Sequence, residues 1–527
     1  MIRRTALPCA ALLVLAACGG HDEEPHRPPP TTGDETTVEV VAIPERQPPP
    51  ESGPPRDIEF PDVVASTTTS GLAVNTVRFG ELPVVYLRMV IRSGGSSDPA
   101  ELPGLAHFVG QMLKEGTQTR TSAQLAEQIE FLGANLDVGD DEENVFIVVR
   151  ALADQLDPAM ELLADIARNP RFSESELRRL KTRELDRLRL LSQQPQYLAR
   201  RTLYAELYGS HPYAHVDATP ASVERVRRPD LTRWHRAHVV PNNAILIAVG
   251  NVDPAAVQRS AEHHFGGWST RTVREPHYPA LQARTAREVV IVDRPSSQQS
   301  TIFVGNLALA RNAPDFVPLE VANQVLGGSA ASRLFMDLRE QRSLTYGAYS
   351  QVGERAQVAP FVAFARVRNQ VTAEAVAGFF EHLDRIVAEA PPDDELNAAQ
   401  RYLSDSFPLQ IETASRIGYM VQQLRVFDLP ADYWDTYRSS IRSVTPAQAH
   451  AAAQAYIHPD TALVVAVGRA ADIVEPLRRY GPVRVIDTEG RELSRFEAAA
   501  ADAPAEPGTS EATEATEATG TTEASEE

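Results

Sequence analysis

The sequence predicts an α+β fold made of two similar halves in tandem, and three observations carry that reading. The stretch Val240-Pro-Asn-Asn-Ala-Ile-Leu-Ile-Ala-Val-Gly250 matches His458-Pro-Asp-Thr-Ala-Leu-Val-Val-Ala-Val-Gly468, each a turn, a short apolar strand and a Gly. A repeat spaced by roughly two hundred residues is a duplicated domain rather than a solenoid. Alternating strands occur in both halves, as Val145-Phe-Ile-Val-Val-Arg150 and Phe361-Val-Ala-Phe-Ala-Arg-Val367. Helical runs follow them at Asp157 to Ala167 and Ala373 to Ala388. Strands mixed with long helices, without a regular βαβ alternation, argue for α+β halves and against a doubly wound sheet.

Taken in order, the chain opens with the basic Met1-Ile-Arg-Arg and an apolar run from Ala6 to Ala17. That run is too short to span a membrane, so residues 1–17 read as a secretory signal. Leu15-Ala-Ala-Cys18-Gly looks like a bacterial lipobox, which implies lipidation of Cys18. Gly19 and Gly20 after it, where Asp is absent, point to the periplasmic face of the outer membrane. The chain has two cysteines, Cys9 inside the signal and Cys18, so the mature protein is expected to have no disulfide. Residues 18–57, with Arg27-Pro-Pro-Pro and Gln47-Pro-Pro-Pro, read as an extended tether.

The first half spans 58–270 and includes the strand-like Leu82 to Arg92. A polar, Pro-bearing joint covers 271–285, and the second half, 286–487, opens with apolar strands at Arg287 to Asp293 and Ser300 to Gly305. From 488 to 527 the chain reads as a disordered acidic tail, dominated by a Thr-Glu-Ala repeat beyond Gly508. Lys and Arg total 51 against 71 Asp and Glu, a net charge of -20. That balance argues against nucleic-acid binding and against electrostatic adhesion to anionic lipid.

Candidate chemistry begins at Gly104-Leu-Ala-His-Phe-Val-Gly-Gln-Met-Leu-Lys-Glu-Gly-Thr117. Two His four residues apart on a helix share one face and can share a metal, with a Glu between them to activate water. This segment resembles the one around the inverted H-x-x-E-H motif of the insulinase/pitrilysin family of zinc metallopeptidases, G-L-A-H-F-L-E-H-M. His107 stands at the first ligand position, Gly110 replaces the Glu and Gln111 replaces the second His. A second helix, Asn169 to Arg187, resembles the family's third-ligand segment through Phe172, Glu176 and Lys181. In that register Arg187 occupies the ligand position and Leu180 the supporting acidic one. Glu184, three residues before Arg187, is placed to share its face. The resemblance implies a degenerate site with no metal in this chain, His107 being packed or hydrogen-bonded in a cleft, and a chain inactive as a peptidase by itself.

The best-preserved motif is Leu326-Gly-Gly-Ser-Ala-Ala-Ser-Arg-Leu-Phe-Met-Asp-Leu-Arg-Glu-Gln-Arg-Ser-Leu-Thr-Tyr346, with Ser343 where the family commonly has Gly. Gly327-Gly328 reads as a tight turn into a helix. By resemblance, Arg339 and Tyr346 hold substrate and stabilise the tetrahedral intermediate, work suited to two hydrogen-bond donors. Spacing alone leaves a plainer alternative open, in which Arg339 pairs with Asp337 or Glu340 and Tyr346 is a core aromatic. A lost zinc motif beside an intact Arg/Tyr pair is similar to the non-catalytic subunit of heterodimeric family members. It implies two homologous domains of the mitochondrial-processing-peptidase kind closing a clamshell. It also implies a sister subunit bearing H-x-x-E-H and zinc, and a peptide substrate. The other reading is a structural or peptide-binding envelope scaffold without catalytic contribution. Pro212 breaks any helical pairing of His211 with His215, His235 and His238 read as solvated on a basic face, and His263 and His264 sit at a helix end.

Overall fold

The computed structural model describes residues 58–499. The signal at 1–17, the lipid-acceptor Cys18, the tether at 18–57 and the tail from residue 500 lie outside the described residues. Among the described residues no helix is long and apolar enough to cross a membrane.

The first half builds a six-stranded sheet from β1 (Val63–Thr67), β2 (Ala73–Arg78), β3 (Val84–Ile91), β4 (Asn135–Asp140), β5 (Val145–Leu152) and β6 (Ala244–Gly250), in the order β1-β2-β6-β3-β5-β4. The second half uses β7 (Glu288–Asp293), β8 (Gln299–Leu307), β9 (Thr345–Val352), β10 (Pro360–Arg368), β11 (Leu463–Gly468), β12 (Val483–Ile486) and β13 (Glu492–Phe496), in the order β13-β12-β7-β11-β8-β10-β9. Five strands correspond one to one across the sheets. β2 and β6 are parallel, as are β7 and β11, and the remaining three in each half add on antiparallel. The matched segments ending at Gly250 and Gly468 are β6 and β11, one strand in from the same edge of each core sheet.

The sheets differ at their outer edges. In the first, β1 pairs antiparallel with β2; in the second, β12 lies parallel to β7 and carries β13 beyond it. The ordered body therefore continues past Asp487, and the tail expected from residue 488 does not start there. Leu493 and Phe496 belong to a strand whose charged neighbours masked it in the sequence.

The helices decide how the halves relate. In chain order, α1 is Leu105–Leu113, α2 Glu174–Leu191, α3 Pro195–Tyr208, α4 Phe316–Leu326, α5 Thr372–Ala388, α6 Asp393–Gln410 and α7 Ala414–Val426. Strand side chains alternate between faces. Val85, Leu87, Met89 and Ile91 of β3 join α1 in a core built wholly from the first half. Tyr86 and Val90 turn the other way, into a core with Ile417 and Val421 of α7 from the second half. The exchange is mutual. Leu198 and Leu203 of α3 pack on Val290, Phe303 and Val465 of the second sheet. Both faces of each sheet are thus covered, which is why β6 and β11 read as continuous apolar runs.

A polar clasp reinforces the exchange. Arg355, in the turn between β9 and β10, reaches Glu142 in the turn between β4 and β5 at 2.8 Å and lies over the Tyr213 ring. Tyr208, at the end of α3, donates to the Val358 carbonyl at 2.8 Å. The joint between halves has no regular element, yet Tyr278 stacks on His211 with ring centroids 5.1 Å apart.

At Gly418 α7 packs tightly on the first sheet: an added Cβ would lie 2.7 Å from the buried Tyr86 ring. Helix propensity alone gives Gly→Ala a gain of about 1 kcal/mol. Overpacking costs about 1–3 kcal/mol and should outweigh it. Gly418→Ala is expected to lower the urea midpoint with an unchanged slope.

Candidate functional site: a cleft with an ion-pair chain in place of a metal site

The cleft is organised by the start of α1. Gly104 caps the helix with φ 89°, and the Asp98 carboxylate accepts from the backbone N–H of Gly104 and of Ala106, both at 2.8 Å. Leu105, Phe108, Val109 and Met112 then face the core, which turns His107 to the opening. At Gly110 an added Cβ would meet Val145 and Val138 at 3.4 and 3.6 Å, so that position faces strand side chains. Leu180 is buried in the apolar core.

His107 is held at both ring nitrogens. Nδ1 lies 2.8 Å from Asp140 at the end of β4, and Nε2 lies 3.4 Å from Glu184 of α2. Glu184 also accepts from Arg187 at 2.6 Å, and Arg187 reaches on to Asp217. The result is a continuous chain, Asp140–His107–Glu184–Arg187–Asp217. Burial alone would lower the imidazole pKa, but hydrogen bonds to Asp140 and Glu184 outweigh it and hold His107 up at about 10. Burial likewise pushes Glu184 up, and its bonds to His107 and Arg187 bring it down to about 2. Asp140 and Glu184 both favour the imidazolium form of His107, in which both nitrogens carry protons and neither offers a lone pair to a metal. Arg187 places a second fixed cation where a third ligand would stand. Gly110 and Gln111 supply neither base nor imidazole. These residues do not fit a zinc ion. Among the described residues no group of three or more His, Cys, Asp or Glu is arranged to hold one.

The cleft has a volume of about 440 Å³ and sits where the halves meet, with His107, Asp140, Arg187 and Asp217 on one side and Tyr204 and Arg355 on the other. Arg339 and Tyr346 are not among its lining residues. Their motif folds as a short helix, Arg333–Phe335, running into a π-helical turn, Met336–Gln341, a distortion frequent at functional sites. Arg339 lies over the Phe335 ring at 4.7 Å, with its Nε 3.4 Å from Glu340. Asp337 is engaged elsewhere, by Arg342 and His382, each at 2.9 Å. Tyr346 is 91% exposed on β9, so it is no core aromatic. β9 is itself an edge strand with one side unpaired in the sheet.

Gly327 lies in the expected turn and also serves close approach: an added Cβ would fall 2.3 Å from the Ser350 hydroxyl of β9. Other expectations change. His235 is buried, not solvated, and its Nε2 lies 2.7 Å from the Ala167 carbonyl. Burial lowers its pKa to about 4. Asp140 and Asp217 were missed altogether. They lie 33 and 30 residues from the side chains they bind, and no local spacing announces them.

The insulinase (peptidase family M16) model matches residues 80–220, and the peptidase M16 inactive-domain model matches residues 225–403, together more than half of the chain. The chain belongs to the insulinase family. It is 24% identical to an uncharacterized zinc protease of Mycobacterium leprae over 68% of this chain and 81% of that protein. It is also 24% identical to the non-peptidase homolog YmxG of Helicobacter pylori, over 69% and 84%. A peptidase M16 inactive-domain structure from Pseudomonas fluorescens superposes with a TM-score of 0.71 at 25% identity, covering 77% of this chain and 98% of that one. A Helicobacter pylori protease structure shares the fold, with a TM-score of 0.73 at 16% identity over 78% and 100%. This insulinase-family chain is of the inactive, non-catalytic type.

Two outcomes follow from the site's charges and backbone. The raised His107 contributes stability in full below its ordinary 6.5 and loses it as pH climbs through about 10. The depressed Glu184 contributes in full above its ordinary 4.5 and loses it as pH falls through about 2. Their joint plateau is therefore pH 4.5 to 6.5. His107→Ala should cost about 2–3 kcal/mol at pH 6 in urea titrations, and less at pH 10. Ser343 adopts φ 53°, a left-handed conformation that favours Gly. Ser343→Gly should raise stability by roughly 0.5–1 kcal/mol in the same assay.

Proposed function

We propose that this chain is a non-catalytic insulinase-family subunit that binds peptide and completes the active site of a zinc-bearing partner subunit. One observation carries the reading: Arg339 and Tyr346 face solvent, away from the chain's own degenerate cleft. A phenol and a guanidinium are donors matched to developing negative charge, and they are effective when a partner surface excludes water around them. The open side of β9, the strand that begins with Thr345 and Tyr346, offers unpaired backbone groups to which an extended peptide can add as a strand.

In this reading a sister chain with an intact H-x-x-E-H supplies zinc and the base, and the two chains close a clamshell around the peptide. This chain's tasks are to orient the peptide along β9 and to present two donors to the reacting carbonyl. Lipidation at Cys18 would anchor the assembly at the periplasmic face of the outer membrane. The non-peptidase naming of the Helicobacter pylori relative supports the non-catalytic part of this reading.

The test is peptide turnover by the chain reconstituted with its sister subunit. Arg339→Ala and Tyr346→Phe should each reduce kcat by about 10²-fold. The urea midpoint should stay put for Tyr346→Phe, whose side chain is 91% exposed, and shift little for Arg339→Ala, which gives up an exposed-rim contact with Phe335. Turnover that survives both changes would make the chain a scaffold without catalytic contribution.

A further inference from the structure

The first half carries a basic face on a chain whose net charge is -20. The face is built around the helix Arg228–His238, whose Leu231, Trp234 and His235 are buried and so turn Arg228, Arg233 and Arg236 outward. Two adjoining grooves, of about 800 and 720 Å³, share Arg271 and Thr272. Those three arginines line the first groove, and Arg92 and Arg274 line the second. Asn242 fixes Arg271 at both backbone groups, donating to its carbonyl at 2.9 Å and accepting from its N–H at 3.3 Å. All six arginines are exposed. Among the described residues, Arg233 alone of the six has a carboxylate within ion-pair distance, Asp230 at 3.3 Å. Glu174 and Glu275 are the only acidic residues in the two linings. Like charges gathered on one face repel each other and draw anions to it.

The same chain supplies a matching anion. Residues 502–527 carry Asp502 and seven Glu, with no Lys, Arg or His. Such acidic terminal runs often serve as interaction segments. Topology puts the face within their reach. Val483 pairs with both Phe496 and Val289, so β13 ends beside the point where the joint enters the second sheet. Arg271 is eighteen residues before Val289, which limits their separation to about 65 Å, and two strand spacings add about 10 Å. The 31 residues from Glu497 to Glu527 can extend about 105 Å, so the acidic end reaches the face with slack. We propose that segment 502–527 of this same chain docks on the arginine face. Exposed ion pairs are individually weak and are screened by salt, so the contact is made at many points at once. Attachment to the same chain compensates, because a flexible connection supplies an effective concentration in roughly the mM range. The occupied face is thereby withheld from other polyanions, anionic lipid among them. The proposal does not rest on the catalytic-partner reading.

The test uses the full chain carrying Arg236→Lys and Arg271→Lys, which keep the charge and add amines to the face. Arg401→Lys, on α6 of the second half, is the reference position. Carbodiimide joins an amine to a carboxylate in direct contact, and mass spectrometry reads the linked peptides. Positions 236 and 271 should couple to tail carboxylates of the same chain at least about fivefold more than position 401. The excess should vanish at 1 M salt, where the screening length falls to about 3 Å. A labelled deca-glutamate peptide gives a second readout. With Asp502→Asn and all seven tail Glu→Gln, the chain should bind it at least about tenfold more tightly than the native chain does. Adding Arg236→Glu and Arg271→Glu should remove that binding. The substituted side chains on the body are exposed, and an unchanged urea midpoint checks that the fold is kept. Equal coupling at all three positions, links between two chains in place of one, or equal peptide binding with and without tail charges would each overturn the proposal. Binding of the native chain to phosphatidylglycerol vesicles through Arg236 and Arg271 would overturn it too, and give the face to a membrane.

Discussion

The reciprocal packing of α3 on the second sheet and α7 on the first is the constraint on which the rest of the structure depends. Each helix lies in the middle of its own half, so the chain crosses over, covers the other sheet and returns. Leu198, Leu203, Ile417 and Val421 are fully buried by the exchange, and each contributes about 1.5–3 kcal/mol of apolar burial. Without the opposite half, each sheet would expose one largely apolar face, and in the first sheet Arg88 and Asn75 would lose their partners Gln422 and Arg425 on α7. The cleft beside His107 is consequently a fixed seam between interlocked bodies, closed at its rim by Arg355 and Glu142.

Within that seam, His107 and Arg187 supply positive charge among residues that do not fit a metal ion. A divalent ion among carboxylates offsets their mutual repulsion. Here the same task falls to the His107 imidazolium and the Arg187 guanidinium, set between Asp140, Glu184 and Asp217. Each carboxylate of the chain has a cationic neighbour, and Glu184, the most buried, has two. The replacement is internally consistent, since Arg at position 187 would be untenable beside a metal and becomes useful once the ligands are gone.

Much of the fold was legible because its signals are local. The Gly250 and Gly468 segments, the alternation in β5 and β10 and the helical runs before Arg168 and Glu389 all obey periods that sequence displays directly. The degenerate motif was legible for the same reason, lying within fourteen consecutive positions. What escaped was non-local or geometric. Nothing in Pro195–Tyr208 says that its apolar face belongs to the other half's sheet. Asp140 and Asp217 come to the site through strand ends and loops. The π-helical turn beneath Arg339 leaves no trace in the sequence, whereas the left-handed Ser343 shows only in its standing where the family commonly has Gly. β13 hid among Arg and Glu, because an edge strand needs little apolar character.

The helix exchange has the topology of a domain swap carried out within a single chain. Residues 267–286 join the halves without any regular secondary structure, so they carry the connection while α3 and α7 carry the adhesion. A backbone break there would leave two fragments still clasped, each holding a helix the other cannot do without. Continuity of the polypeptide and continuity of the fold are thus secured by different parts of the molecule. The same interlock, formed between two chains instead of within one, is an alternative assembly that the covalent joint disfavours by keeping the matching half always close at hand.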